Sequence, residues 1–184
     1  MHKKLLKHIA LGDRKAFLKL YILYKDKVYN TAIGYVQNIE EAEEITQDVF
    51  LTIYNKANTF QGKAKVSTWI YRITVNKALN QIKKRKKHTI SRNEIKEFYR
   101  IDFNHPGIQL ENQEKAQYLF AAINKLPENQ KTAFLLSYVE GLPRQEVADV
   151  METTLKSVES LLQRAKVKLR NQLTAIYPEG KKKK

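Results

Sequence analysis

Apolar residues recur every three or four positions along most of this chain, the spacing of one face of an α-helix. No stretch alternates apolar and polar residues for long enough to indicate a strand. We therefore expect an all-α fold. The predicted helices are 13–38, 39–57, 66–87, 114–126, 128–139, 143–151 and 155–173.

The helical periodicity is lost between the two groups of helices, over 88–113. This stretch carries a His-Pro-Gly turn signal at 105–107 and is longer than most connections within a domain. The pattern predicts two small helical domains, 1–87 and 114–173, joined by a flexible linker. The last residues, 174–184, end in four lysines and are predicted to form a basic disordered tail.

Charge points to a polyanionic partner. The 184 residues include 34 Lys and Arg against 19 Asp and Glu, a net charge of +15, and nucleic acid is the commonest partner of such a protein. No acidic residue lies between Val49 and Asn93, a window that holds eleven basic residues and several aromatic ones. Cations interleaved with aromatic rings suit single-stranded nucleic acid.

The third predicted helix concentrates this signal on one face. At about 100° per residue, Arg72, Asn76, Asn80 and Lys83 fall within about a quarter turn of one another. We interpret this polar and cationic face as a nucleic-acid contact. Trp69 lies on an apolar strip of the same helix, which favours a core position over base stacking.

Several kinds of chemistry are not indicated. The chain has no cysteine, and its four histidines are scattered, so we expect no metal, no cofactor and no catalytic residue. The N-terminus lacks a signal-peptide cleavage site, and no apolar run approaches the roughly 20 residues that span a bilayer. We expect a cytoplasmic protein without membrane insertion.

The second predicted helix is acidic within a basic protein. Negative charge near a helix N-terminus is favourable in itself, which accounts for the early glutamates. It does not account for Gln47 and Asp48, further along the helix, and a protein partner is the alternative. The residues of this acidic helix are Glu40, Glu41, Glu43, Glu44 and Asp48.

Residues 142–170 predict a helix-turn-helix. A short turn at Glu152 and Thr153 leads to Thr154, a natural N-cap for a second helix. The second helix has the geometry of a recognition helix, whose N-terminal half reads bases in the major groove; a plain amphipathic hairpin is the alternative. We expect it to bury Leu155, Val158, Leu161, Leu162, Ala165 and Leu169, and the first helix to bury Val147, Ala148 and Met151.

Two stretches of the chain together resemble bacterial RNA polymerase sigma factors of the extracytoplasmic-function group. They are EEAEEITQDVFLTIYNKANTFQGKAKVSTWIYRITVNKALNQIKKRKK and LPENQKTAFLLSYVEGLPRQEVADVMETTLKSVESLLQRAKVKLR. The resemblance covers about 10–173, in order. It implies a promoter-specificity subunit that is not itself an enzyme, with core RNA polymerase, promoter DNA and an anti-sigma factor as partners.

The resemblance also implies roles for particular residues. The first domain would dock on the clamp helices of the largest polymerase subunit and melt the −10 element; the second would meet the flap and read the −35 element. Polymerase contacts fall on Glu44, Gln47 and Asp48. The −10 single-strand contacts fall on Phe60, Gln61, Gly62, Lys63, Arg72, Asn76, Asn80 and Lys83. The −35 contacts fall on Glu159, Ser160, Gln163 and Arg164, with Lys156, Lys166 and Lys168 on phosphates.

This sequence departs from the family at Glu159, where many members carry a cation, so the −35 sequence is not transferable from relatives. Two other functions remain as alternatives. A stand-alone helix-turn-helix regulator would not need the acid-free, aromatic-rich first domain. An enzyme acting on nucleic acid would need carboxylates within 49–93, and there are none.

Overall fold

The computed structural model describes residues 2–91 and 113–176, which form two compact helical units. Of 88–91, 113–114 and 175–176 it describes the backbone alone. The described residues contain helices and turns but no strand, which confirms the all-α prediction. Within the same residues, no helix is both long and apolar enough to cross a membrane.

The first unit comprises four α-helices. They are α1 (His2–Ala10), α2 (Arg14–Val36), α3 (Ile39–Lys56) and α4 (Val66–Ser91), with a 3₁₀ turn at Ala57–Thr59 after α3. Helices α2, α3 and α4 pack against one another, and α1 packs on α2 and on the 3₁₀ turn. Fully buried apolar side chains between them form the core, among them Leu20, Val28, Ile33, Ile53 and Ile70.

Local chemistry sets where the helices of this unit begin and end. Asp13 caps α2, as predicted, by accepting hydrogen bonds from the amides of Lys15 and Ala16 at 2.9 and 3.1 Å. Gln37 adopts a left-handed conformation (φ 52°) that ends α2. Asn38 then caps α3 by accepting from the amide of Glu41 at 2.8 Å.

The second unit also comprises four α-helices. They are α5 (Gln113–Asn124), α6 (Glu128–Phe134), α7 (Arg144–Met151) and α8 (Leu155–Ile176), with a π-helical turn at Leu135–Val139. Between α7 and α8, Glu152 is left-handed (φ 53°), and the hydroxyl of Thr154 accepts from the amide of Ser157 at 3.2 Å. The helix-turn-helix is therefore closed by the predicted turn and cap.

The structure corrects the sequence predictions at several places. Helix α1 was not predicted, although the spacing of the buried Leu6 and Ile9 was a helical signal. Helix α4 extends into the predicted linker as far as Ser91, and α8 extends into the predicted tail as far as Ile176. Neither helix contains a glycine or proline that would end it earlier. The rest of both segments, 92–112 and 177–184, lies outside the described residues.

Three side chains predicted as core of the helix-turn-helix are not buried. Leu155 is 40% exposed because it is the first residue of α8, directly after the turn that joins α7 to α8. Met151 closes α7 and Leu161 lies at the margin of the buried face of α8, and both are half-buried. The other predicted core residues are buried: Val147, Ala148, Val158, Leu162, Ala165 and Leu169.

Candidate nucleic-acid interfaces

The loop between the 3₁₀ turn and α4 carries four of the predicted −10 contacts. The ring of Phe60 is half-buried and packs against Trp69 on α4, with 5.4 Å between ring centroids. Gln61 and Lys63 are exposed. Gly62 lies between them in a left-handed conformation (φ 71°), which lets the loop turn sharply. The loop therefore presents an aromatic edge beside polar and cationic groups.

The predicted polar face of α4 forms a polar strip that begins after this loop. Asn76, Asn80 and Lys83 are exposed on it, whereas Arg72 is half-buried. Trp69, expected in the core, is also half-buried, one turn from the start of α4 and against Phe60. The structure thus places an aromatic pair at the beginning of a polar strip, an arrangement suited to stacking bases and following phosphates.

Two cations of the acid-free window face α3 instead. Nζ of Lys77 lies 3.0 Å from Oδ2 of Asp48. Nη1 of Arg85 lies 3.2 Å from Oε2 of Glu41 and 3.4 Å from the carbonyl oxygen of Val36. Both pairs join α4 to α3 within the unit. These two cations are therefore bound within the protein rather than presented on the polar strip.

The predicted polymerase contacts share one face of α3. Gln47 and Asp48 lie three and four residues after Glu44, and all three side chains are exposed. Leu51 follows on the next turn of the same face and is 59% exposed. Sequence reasoning missed this leucine, because its spacing alone does not tell an exposed apolar residue from a buried one.

One acidic residue in the first turn of α3, Glu41, has a different environment. Burial raises the pKa of the Glu41 carboxyl above its usual value, against the opposing effect of the Arg85 guanidinium. Asp48, by contrast, has a side chain 53% exposed even in its pair with Lys77. Glu40 and Glu43, near the start of α3, are exposed as well, and their charge is explained by the helix dipole. Asp48 lies in the middle of the helix, where the dipole does not explain it.

The outer face of α8 holds all the predicted −35 contacts. The buried residues of α8 occupy one side of the helix, and the opposite side is polar and mostly cationic. Nε of Arg164 donates to the carbonyl of Ser160 at 3.2 Å, which lays that guanidinium along the helix. Every predicted contact on this face is exposed: Lys156, Glu159, Ser160, Gln163, Arg164, Lys166 and Lys168.

Neighbouring elements add residues that the sequence analysis did not assign. Arg144, the first residue of α7, places Nη1 3.5 Å from Oε1 of Glu159. Tyr138, on the π-helical turn, carries Nζ of Lys166 at 4.7 Å from its ring centroid. Asn129 on α6, the turn at Thr153 and Thr154, and the first three turns of α8 line an open depression of about 490 Å³. These contacts follow from the turn geometry, which periodicity does not reveal.

No cluster of three or more His, Cys, Asp or Glu side chains that could hold a metal ion occurs among the residues the structure describes. The chemistry available at the surfaces described above is hydrogen bonding, ion pairing and stacking. On the −10 loop, the polar face of α4 and the outer face of α8, that chemistry suits polyanions and bases.

Both units match known protein families. Residues 20–88 match the family described as "Sigma-70 region 2", and residues 116–169 match "Sigma-70, region 4". The first match contains the loop and the polar strip, and the second contains the helix-turn-helix.

Curated relatives match over nearly the whole chain. The ECF RNA polymerase sigma factor SigW of Bacillus subtilis is 29% identical over 181 residues, covering 94% of this chain and 97% of the relative. The RNA polymerase sigma-H factor of Pseudomonas aeruginosa is 28% identical over 188 residues, covering 97% and 96%. The ECF RNA polymerase sigma-E factor of Escherichia coli K12 is 28% identical over 180 residues, covering 94% of each chain.

Solved structures share the fold. CnrH, solved in complex with the cytosolic domain of CnrY, aligns with a TM-score of 0.70 at 20% identity, covering 94% of this chain and 97% of that one. The sigma factor RpoE of Bartonella quintana, solved with the anti-sigma factor NepR, aligns with a TM-score of 0.69 at 22% identity, covering 87% and 98%.

Proposed function

Because this chain belongs to the sigma-70 family of RNA polymerase sigma factors, in its extracytoplasmic-function group, we propose that it directs core RNA polymerase to specific promoters. It binds the −35 element with its second unit and melts the −10 element with its first. The observation that carries this proposal is the presence of two different nucleic-acid surfaces on one chain, one suited to single strands and one to duplex.

The first unit holds the opened −10 strand. Extruding a base costs a few kcal/mol of unstacking, so the protein must offer the base and its backbone compensating contacts. Phe60 supplies a ring edge beside Trp69, with exposed Gln61 and Lys63 next to it. The polar strip of Asn76, Asn80 and Lys83 then follows the strand along α4. Gly62 and Arg72 complete this set of proposed −10 contacts.

The second unit reads the −35 duplex. A recognition helix enters the major groove with its N-terminal half, and in α8 this half carries Lys156, Glu159, Ser160, Gln163 and Arg164, all exposed. In the major groove, glutamine pairs with adenine, arginine with guanine, and a carboxylate accepts from cytosine. The cations further along α8, Lys166 and Lys168, would contact phosphates, which position the protein without specifying sequence.

Core polymerase is the partner of α3. The exposed face of Glu44, Gln47 and Asp48 would be repelled by DNA, so it fits a protein surface, and we assign it to the clamp helices of the largest subunit. The second unit would meet the flap. In this assembly the sigma factor supplies recognition and melting, the polymerase supplies catalysis, and the protein acts in the cytoplasm.

An anti-sigma factor is the proposed inhibitory partner. The related RpoE of Bartonella quintana forms a complex with the anti-sigma factor NepR, and the related CnrH forms one with the cytosolic domain of CnrY. An inhibitor of this class would act by covering the polymerase-binding or DNA-binding surfaces. Co-expression with an affinity-tagged candidate anti-sigma factor would show a complex of the two proteins. Core polymerase should displace the anti-sigma factor from this complex.

Binding measurements on the full chain test the proposal and separate it from the two alternatives. We expect tight binding of core polymerase, weak binding of promoter duplex by the free protein, and specific binding by the complex. Equal specific duplex binding with and without polymerase would instead identify a stand-alone regulator. Cleavage of nucleic acid on addition of divalent metal would identify an enzyme.

A further inference from the structure

The first helix of the helix-turn-helix contributes a cation to the recognition helix. Arg144 opens α7, and Glu159 lies on the second turn of α8. Nη1 of Arg144 is 3.5 Å from Oε1 of Glu159, and the two side chains are 53% and 48% exposed. The pair therefore lies on the surface that the proposed function turns toward the −35 duplex.

Arg144 also acts on Tyr138 of the π-helical turn. Hydrogen bonds from Lys166 and then from Arg144 hold the pKa of the Tyr138 hydroxyl below its usual value. Nζ of Lys166 lies 4.7 Å from the Tyr138 ring centroid. Arg144 and Lys166 therefore both place positive charge near Tyr138, beside the recognition helix.

This position gives Glu159 a role that a free carboxylate could not fill. A carboxylate facing DNA is repelled by the phosphates, and the adjacent guanidinium offsets that charge. One carboxylate oxygen satisfies Arg144, while the group keeps further lone pairs for another donor. Arginine has five N–H donors, so Arg144 retains donors for a phosphate as well.

The chemistry of the carboxylate selects one base. In the major groove cytosine presents an amino group, N4, as a donor, whereas guanine and thymine present acceptors at the corresponding edge. Adenine presents its N6 donor beside the N7 acceptor, and N7 would place a lone pair against the carboxylate. Cytosine is therefore the base from whose N4 amino group the Glu159 carboxylate accepts a hydrogen bond.

We propose that Glu159 reads a cytosine in the −35 element and that Arg144 is the positioning residue that neutralises and aims it. The inference rests on the proposed function, since it assumes that α8 lies in the −35 major groove. It adds a base identity and a second residue, from outside the recognition helix, to that function.

Selection of promoters by the complex of the full chain with core polymerase tests the inference. The library is randomised over the −35 region, and bound DNA is sequenced. We expect one position at which the wild type favours cytosine about tenfold, the discrimination typical of a side chain reading a base edge. Glu159→Gln should lose this preference and favour adenine at the same position, because an amide pairs with adenine.

Variants of Arg144 separate positioning from folding. Arg144→Ala should weaken the cytosine preference several-fold, and Arg144→Lys should restore part of it by restoring the charge. Arg170→Ala removes the same charge from an exposed position further along α8 and should leave the preference at this position intact. Thermal unfolding by circular dichroism shows whether each variant is folded.

The outcomes distinguish failure of the cytosine contact from failure of the proposed function. If the wild-type complex enriches no −35 motif, the proposed function itself is wrong. If it enriches a motif that Glu159→Gln leaves unchanged, the function stands and the cytosine contact is overturned. If Arg144→Ala folds and keeps the full cytosine preference, the positioning role of Arg144 is overturned.

Discussion

The ammonium of Lys3 donates a hydrogen bond to the backbone carbonyl of Gly62, across 2.8 Å. This contact joins α1 to the loop proposed to capture a −10 base. Helix α1 is itself anchored, because Leu6 and Ile9 are buried and Nδ1 of His2 lies 2.8 Å from the hydroxyl of Tyr24. The first helix of the chain therefore supports the shape of the −10 loop.

Removing this support should impair promoter melting more than folding. We expect Lys3→Ala to slow open-complex formation a few-fold, because the loop loses one of the contacts that hold its conformation. Stability should change by less than about 1 kcal/mol, since the interaction is exposed. Permanganate reactivity of unpaired −10 thymines measures melting, and circular dichroism measures stability.

Lys4→Ala is the matched control, because it removes the same charge from the exposed neighbouring residue. If both variants melt the promoter equally slowly, the effect is one of net charge and the loop-supporting role of Lys3 is wrong.

Phe60 should contribute to single-strand binding by stacking. Base–aromatic stacking is worth roughly 1–3 kcal/mol per base, so Phe60→Ala should weaken binding of a −10 single strand by the polymerase complex at least about fivefold. Trp69 is the only tryptophan of this chain and packs on Phe60. An analogue-labelled Trp69, distinguishable from the tryptophans of the polymerase, should change emission on binding. An unchanged affinity for Phe60→Ala would contradict the assignment.

Asp48 is proposed to bind polymerase although it also pairs with Lys77, and two variants separate these roles. Asp48→Asn should weaken core-polymerase binding several-fold, whereas Lys77→Met should not, because it frees the same carboxylate. Neither should alter stability by more than about 1 kcal/mol, since the side chains are 53% and 35% exposed. Equal loss of polymerase binding in both variants would mean that the pair, rather than the carboxylate, matters.

Two carboxyls give the first unit opposite responses to acid. Hydrogen bonds from the amides of Ala16 and Lys15 hold the pKa of Asp13 below its usual value, so its stabilisation is present at neutral pH and lost as the pH falls through that lowered pKa. Burial raises the pKa of Glu41, so its ionised form disfavours folding, and this effect is relieved as the pH falls through the raised pKa.

Stability measured by thermal unfolding from neutral pH to about pH 3 should show both signs. Asp13→Asn, which keeps a capping side chain, should lose less stability on acidification than the wild type. Glu41→Gln should lose more, because it lacks the compensating gain. Identical slopes for all three proteins would contradict these pKa directions.

Sequence reasoning succeeded where the structure depends on local chemistry. The cap at Asp13 and the turn before Thr154 need only neighbouring residues, so the helices they begin were predictable. Sequence reasoning failed where a side-chain contact depends on which faces of two helices pack against each other. Helix α4 has two apolar strips, and spacing alone did not show that Lys77 would face α3.

The same distinction applies to the proposed sites. The exposure of the recognition face followed from its periodicity. The contact of Arg144 with Glu159 depends on the direction in which the turn sends α7 relative to α8, and the contact of Lys3 with Gly62 depends on the packing of α1. Neither direction is encoded in residue spacing.

Run-off transcription on fragmented genomic DNA tests whether this protein is a promoter-specificity subunit. Core RNA polymerase from the source bacterium is used with and without the protein. We expect discrete transcripts that require the protein, with start sites whose upstream sequences align into a −10 and a −35 element. Identical transcripts in both reactions, together with specific duplex binding by the protein alone, would contradict the proposed function. The polymerase contacts assigned to Glu44, Gln47 and Asp48 would then be wrong.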